Sequence, residues 1–364
     1  MKKTGNQSRF FIITGSILLI GCILIKIARY HPNWIEVHYS NGIYPYISSF
    51  YRNLFGWIPF SVGDILYFLA GCYLIWFAIK TTKIVIRRKV HTVNYQKRIK
   101  RAFYFLTITY IYFNLTWGMN YNRPGIAAQL ALTPIAHNKE DLKMIAELLV
   151  TKLNETRLQV STDKIKYKQY KLVFAQAQEA YVKKGLAFPF MAYKTSSVKR
   201  SMYGRLGNYL GFLGYYNPFT GEAQLNLTMP QFLIPYVSCH EMAHQLGYAK
   251  ESEASFVGYL AAVQSEDALF HYSAYFDMFT YANYELFRRD SLAAKTNFSK
   301  LDTLVKIDFK EYRTYSNKRK NPIEPFITVF YDYYLKANDQ EKGVNSYNEV
   351  LGWLIAYYKK YQSI

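Results

Sequence analysis

His240, Glu241 and His244 lie in the stretch Ser238-Cys239-His240-Glu241-Met242-Ala243-His244-Gln245-Leu246-Gly247 and form an H-E-x-x-H pattern. Residues four apart share one face of a helix, so both imidazoles can reach a single Zn2+ while Glu241, one step round, reaches water beside it. The chemistry this implies is hydrolysis. Zinc polarises a carbonyl and acidifies water, and Glu241 acts as general base, passing the proton on to a leaving amine. A helix is expected here on other grounds too: Pro235 suits a first turn, Tyr236, Cys239, Ala243 and Leu246 make an apolar stripe, and Gly247 can end it. The bland alternative is a polar helix face with two solvated histidines. Val237 and Met242, which bracket the pair, argue against full exposure.

A catalytic zinc takes a third protein ligand and keeps one position open. Glu251 and Glu253 both follow Gly247, ahead of an apolar helical stretch at 254–263. Glu253 shares a face with Phe256, Val257 and Leu260, whereas Glu251 falls roughly opposite, so the apolar spacing favours Glu253 and suits Glu251 as a dipole-compensating carboxylate. The choice between the two stays open. His271, beside an aromatic helix, is a weaker rival ligand.

The elements that would carry this group fall into two parts. Hydrophobic residues make up 51% of the 364-residue chain, and the long uninterrupted apolar runs all precede Met119. Three runs, at about 10–27, 58–79 and 102–119, read as membrane spans, the third being diluted by Thr107, Thr109, Asn114 and Thr116. The net charge of +20 is concentrated beside these runs. Lys80, Lys83, Arg87, Arg88, Lys89, Lys97, Arg98, Lys100 and Arg101 separate the second run from the third, which reads as a cytoplasmic loop and not as a nucleic-acid patch. With Lys2, Lys3 and Arg9 ahead of the first span, the N-terminus is cytoplasmic and everything after about Tyr121 lies outside. In the first loop Ile43, Ile47, Phe50 and Leu54 recur at helical spacing, as an interfacial helix or a short packed one would. The three cysteines make no disulfide framework.

After the turn at Asn122-Arg123-Pro124-Gly125 the pattern becomes that of a soluble α+β, mainly helical domain spanning 121–364. Helices are expected at 139–156, 167–184, 267–288, 324–336 and 348–361. Segments 211–216 and 222–227 flank Asn217-Pro218-Phe219-Thr220-Gly221 as a hairpin. Its edge offers an extended peptide a place to lie, with Gly214 and Gly221 allowing close backbone approach.

Four stretches together resemble the bacterial membrane-protein family labelled domain of unknown function 3810. They are Trp117-Gly118-Met119-Asn120-Tyr121-Asn122-Arg123-Pro124, Gly214 to Ala223, His240 to Phe256, and Tyr331-Asp332-Tyr333-Tyr334-Leu335-Lys336-Ala337-Asn338. The resemblance covers nearly the whole chain and implies a zincin-like fold of the gluzincin type. More distantly, the Glu-x-Glu-Ala arrangement resembles gluzincins in which the Glu directly before Ala is the third ligand, which is Glu253 here. Ser255 stands where such families often have Asn, and the gap from His244 to Glu253 is short for that group.

The expectation is therefore a zinc metallopeptidase with metal ligands His240, His244 and Glu253 and general base Glu241. It acts on a peptide or protein substrate from the outer face of a bacterial cytoplasmic membrane, held by a three-helix anchor over residues 1–120. The rival readings are a catalytically inactive scaffold or sensor of the same fold, and a zinc amidase acting on cell-wall material.

Overall fold

A computed structural model of the chain describes residues 2–87, 94–132, 138–160, 169–338, 340, 343 and 349–364. Arg88 and Lys89 of the basic loop, Tyr167 and Lys168 at the start of one expected helix, and Asn348 at the start of another lie outside the described residues. The described residues are mainly helical with one small sheet.

Two described helices, Phe11–Arg29 and Val62–Ile86, are long and apolar enough to cross a membrane. At 1.5 Å per residue their 19 and 25 residues span about 28 and 38 Å, against a hydrocarbon core of about 30 Å. Both leave most of their surface uncovered by protein. The third expected run falls on helix Tyr95–Thr116, which is not one of those two and carries buried Asn114 and Thr116. It packs along the first helix. Phe11 meets Tyr104 edge-on with ring centroids 5.3 Å apart, and Arg29 donates to Asn114 Oδ1 at 3.1 Å.

The feet of these helices are built into the rest of the molecule. Ser61 caps Val62–Ile86 by accepting from Asp64 N. The buried Asp64 carboxylate in turn accepts from Met202 N at 2.6 Å and from the Tyr215 hydroxyl. Glu222 Oε2 accepts from Gly63 N at 2.6 Å. Helix Tyr44–Gly56 turns Tyr44, Ser48 and Arg52 inward; Phe50 and Leu54 on it and Ile43 just before it are exposed, and Ile47 is half-buried. The expected apolar stripe of this first loop therefore faces away from the protein. These contacts cross the expected division at residue 120.

The strands are β1 (Val198–Arg200), β2 (Gly214–Asn217) and β3 (Glu222–Leu225), in the order β1-β3-β2. β2 and β3 form the expected antiparallel hairpin with Gly214 opposite Leu225, and β1, unread in the sequence, pairs parallel to β3. Helices Lys139–Gln159, Tyr170–Ala187, Ile234–Gln245, Glu251–Ala262, Ala268–Arg289 and Val350–Tyr361 close over one apolar core. Their starts are written locally: Asn138 and Asp267 each accept from a backbone N–H in the first turn, which satisfies donors the helix itself cannot.

Candidate metal centre

The H-E-x-x-H residues lie on helix Ile234–Gln245, which has Pro235 in its first turn and ends at Gly247, a residue with φ of 91°. The positive φ suits glycine. A Cβ there would also stand 2.8 Å from the Tyr44 ring. The helix is buried on nearly every side, not along one stripe. Gln245 ties it to the sheet by donating to Ser197 O at 2.9 Å and to Gly221 O at 2.8 Å, and Ser48 Oγ satisfies the carbonyl of Gln245 at 2.6 Å.

Across one crossing lies helix Glu251–Ala262, held close because Gly258 has no side chain: a Cβ on it would come within 2.8 Å of His240 N. That approach brings Glu251 Oε2 to 3.3 Å from His240 Nε2 and 3.5 Å from His244 Nε2. One ligand atom from each of the three residues lies within 4.8 Å of the others. The remaining atoms of the group are already engaged. His244 Nδ1 is 2.7 Å from Tyr248 O, His240 Nδ1 is 3.3 Å from Ser255 Oγ, and the Tyr331 hydroxyl donates to Glu251 Oε1 at 2.9 Å. Such outer contacts leave each Nε2 facing inward and orient ligands toward a shared ion. Two imidazoles and a carboxylate are the donor set of a three-ligand catalytic zinc site.

Glu253 takes no part in this group, contrary to the expectation from the apolar spacing. Its carboxylate packs on Gly125, where there is no room for a Cβ, near Lys250 Nζ at 3.8 Å and within the field of Arg123. The reason is burial: every residue of Glu251–Ala262 is buried, so an apolar stripe cannot mark the face that meets the two histidines. The face that does so runs Glu251, Ser255, Gly258. Its small residues at four-then-three spacing were the readable signal for a close helix crossing. His271 also stays out; its Nε2 lies 2.7 Å from Ser265 O.

Glu241 lies beside the cluster with Oε2 buried and unpartnered. β2 presses against it: a Cβ on Gly214 would meet Glu241 Oε1 at 2.5 Å, and one on Gly221 would meet Tyr51. Both glycines thus admit neighbours within the protein. Trp117 and Tyr216, 4.4 Å apart, flank the His244 ring at 6.1 and 6.5 Å.

The charges are mutually dependent. Burial pushes the Glu241 carboxyl up to about 8, with Glu251 adding to the effect. Burial alone would lower His244, but the Glu251 carboxylate outweighs it and pushes the imidazole up to about 9. Burial keeps His240 below its ordinary value. Glu251, despite its own burial, is held well below the usual carboxylate range by the two histidines. A buried cluster rich in carboxylate and with an orphaned oxygen at its edge fits a divalent cation.

A family model described as "Protein of unknown function (DUF3810)" matches residues 39–355. No curated protein and no solved structure matches the chain.

Proposed function

Since the chain belongs to the DUF3810 family, whose description assigns no activity, we propose from the site itself that it is a membrane-anchored zinc metallopeptidase with His240, His244 and Glu251 as ligands and Glu241 as general base. The observation that carries this is the convergence of the two Nε2 atoms and Glu251 Oε2, with the unpartnered Glu241 carboxylate alongside. Bound zinc would supply Lewis-acid polarisation of a substrate carbonyl and lower the pKa of water.

The chain's own residues do the rest. Tyr248 O and Ser255 Oγ engage the imidazoles at their Nδ1 atoms, so that each, once its Nε2 has given up any proton, turns that nitrogen to the metal. Glu241 accepts a proton from water as it attacks the carbonyl carbon, then delivers that proton to the amine nitrogen as the C–N bond breaks. β2 pairs only with β3 among the described residues, which leaves its other edge for an extended peptide. Three spans, with Tyr95–Thr116 completing the anchor beside Phe11–Arg29, would set this site on the outer face of the membrane, opposite the basic loop. The helical layers around the small sheet fit the zincin-like fold.

The test uses the full chain in detergent or nanodiscs. Zinc content and turnover against a peptide library and a cell-wall digest are compared for wild type, His240→Ala and Glu241→Gln. Glu241→Gln should keep zinc and lose hydrolysis of whichever amide is cleaved. A wild-type protein free of zinc after metal loading would end the proposal, and full activity in Glu241→Gln would remove the general base from it.

A further inference from the structure

We infer that helix Glu324–Ala337 and the adjoining helix Gly204–Leu210 form a second membrane contact that lies in the lipid surface and meets anionic headgroups at its edge. This rests on the reading of Phe11–Arg29 and Val62–Ile86 as spans.

Helix Glu324–Ala337 has two faces. One turns into the protein: Tyr331 reaches Glu251, Tyr334 lies 3.4 Å from the Tyr121 hydroxyl, and Leu335 is buried. The other carries Phe326 and Phe330, 77% and 75% exposed, with Ile323, Val329 and Tyr333 beside them. Positions 323, 326, 330 and 333 follow helical spacing and make one stripe. It continues across Leu206 and Tyr209, also exposed, because Asn321 Nδ2 donates to Tyr209 O at 2.9 Å and Arg319 Nε to Asn208 O at 3.3 Å. A contiguous aromatic and aliphatic surface of this kind marks an interaction site.

Its height identifies the occupant as lipid. Asp64, in the first turn of Val62–Ile86, is bound to the domain at Met202 N. Tyr203, immediately before helix Gly204–Leu210, donates its hydroxyl to Asp64 O at 2.7 Å. The stripe therefore sits where that span enters the hydrocarbon. Beside it a cavity of about 1000 Å³ opens between Gly204–Leu210, the 228–231 loop and helix Thr303–Arg319. Arg205, Lys310, Lys318 and Arg319 line it against the carboxylate of Glu311. An apolar stripe with cations at its edge is the pattern of an interfacial helix on anionic lipid. The element that meets lipid is then also the one that holds Glu251.

The test places a nitroxide on the full chain, in a Cys22→Ser, Cys72→Ser background, through Phe326→Cys or Phe330→Cys. Leu74→Cys serves as the span control and Lys295→Cys as the aqueous control. Nanodiscs of phosphatidylcholine alone are compared with ones containing phosphatidylglycerol, and collision with oxygen is compared with collision with a water-soluble nickel chelate. The expected result at 326 and 330 is high oxygen collision and loss of nickel collision to the level seen at Leu74, deepened by phosphatidylglycerol. Lys310→Glu with Lys318→Glu should abolish the phosphatidylglycerol effect. Labels as open to nickel as Lys295, with Leu74 in lipid, overturn this inference alone; an aqueous Leu74 overturns the span reading beneath it. Labels screened from both probes report a protein partner and overturn it as well. Equal immersion in both lipids overturns the role of the cationic cavity.

Discussion

The Tyr331 hydroxyl donates to Glu251 Oε1 at 2.9 Å, while Oε2 of the same carboxylate faces His240 and His244. One oxygen is anchored so that the other is aimed. Tyr331→Phe removes the anchor and keeps the ring, and zinc affinity should fall by about 10–100-fold, as for other outer contacts of metal ligands. Competition with a chromogenic chelator measures it; an unchanged affinity would show that Glu251 is held without Tyr331.

Glu251→Gln should weaken zinc binding beyond the roughly 100-fold upper range of such outer-contact losses. Glu253→Gln should leave it intact, because the Glu253 carboxylate lies against Gly125 and Lys250. The two variants measured side by side decide the third ligand, and the reverse order of effects would restore Glu253 to that role.

Gly258→Ala would set a Cβ 2.8 Å from His240 N and 2.9 Å from its Cα, contacts with backbone that cannot swing aside. Overpacking of this kind costs about 1–3 kcal/mol, against a gain of up to about 1 kcal/mol in helix propensity. The expected outcome is a lower Tm together with weaker zinc binding, as the two helices part. A rise in Tm with affinity unchanged would contradict the close crossing.

Zinc binding should tighten with pH. In the metal-free protein His244 holds a proton up to about pH 9, and only its neutral form can bind a metal. Between about pH 7 and 9 the dissociation constant should fall by about tenfold or more per unit, with one proton released from His244 and up to one more from Glu241, whose carboxyl burial pushes up to about 8, and level off above that. Calorimetry in two buffers of different ionisation enthalpy counts the protons. A flat profile across this window rules out a protonated His244.

Glu36 and Arg123 form a buried pair, with Arg123 Nη2 to Glu36 Oε1 at 2.6 Å and Nε to Oε2 at 2.8 Å. Burial alone would raise Glu36, but the Arg123 guanidinium holds its carboxyl below the ordinary value of 4.5. Because the folded value is the lower one, this contribution is full above about pH 4.5 and is lost as pH falls through the folded value. Glu36→Gln leaves Arg123 buried without its counter-charge and should cost about 3–5 kcal/mol at neutral pH. It should also flatten the acid limb of stability against pH, both read from denaturant melts. A variant as stable as wild type at neutral pH, with an unaltered acid limb, refutes the assignment.

Local signals were legible because they act locally. Pro235 and Gly247 bound the motif helix as their backbone preferences require, and the Asn217–Gly221 turn joins an antiparallel hairpin. What the sequence left hidden depends on contacts between distant residues. β1 is too short at three residues to show a period, and it exists because β3 lies beside it. Arg123 reads as part of the turn that opens the domain, yet it is buried against Glu36 from the expected anchor.

The sequence alone determined that His240 and His244 share one face of a helix, since a separation of four residues suffices for that, and that long apolar runs precede the main helical unit. Only the tertiary structure decided which glutamate joins the histidines. Along a helix buried all round, hydrophobicity no longer marks a direction, and the missing side chain of Gly258 sets which side of it the motif helix can approach.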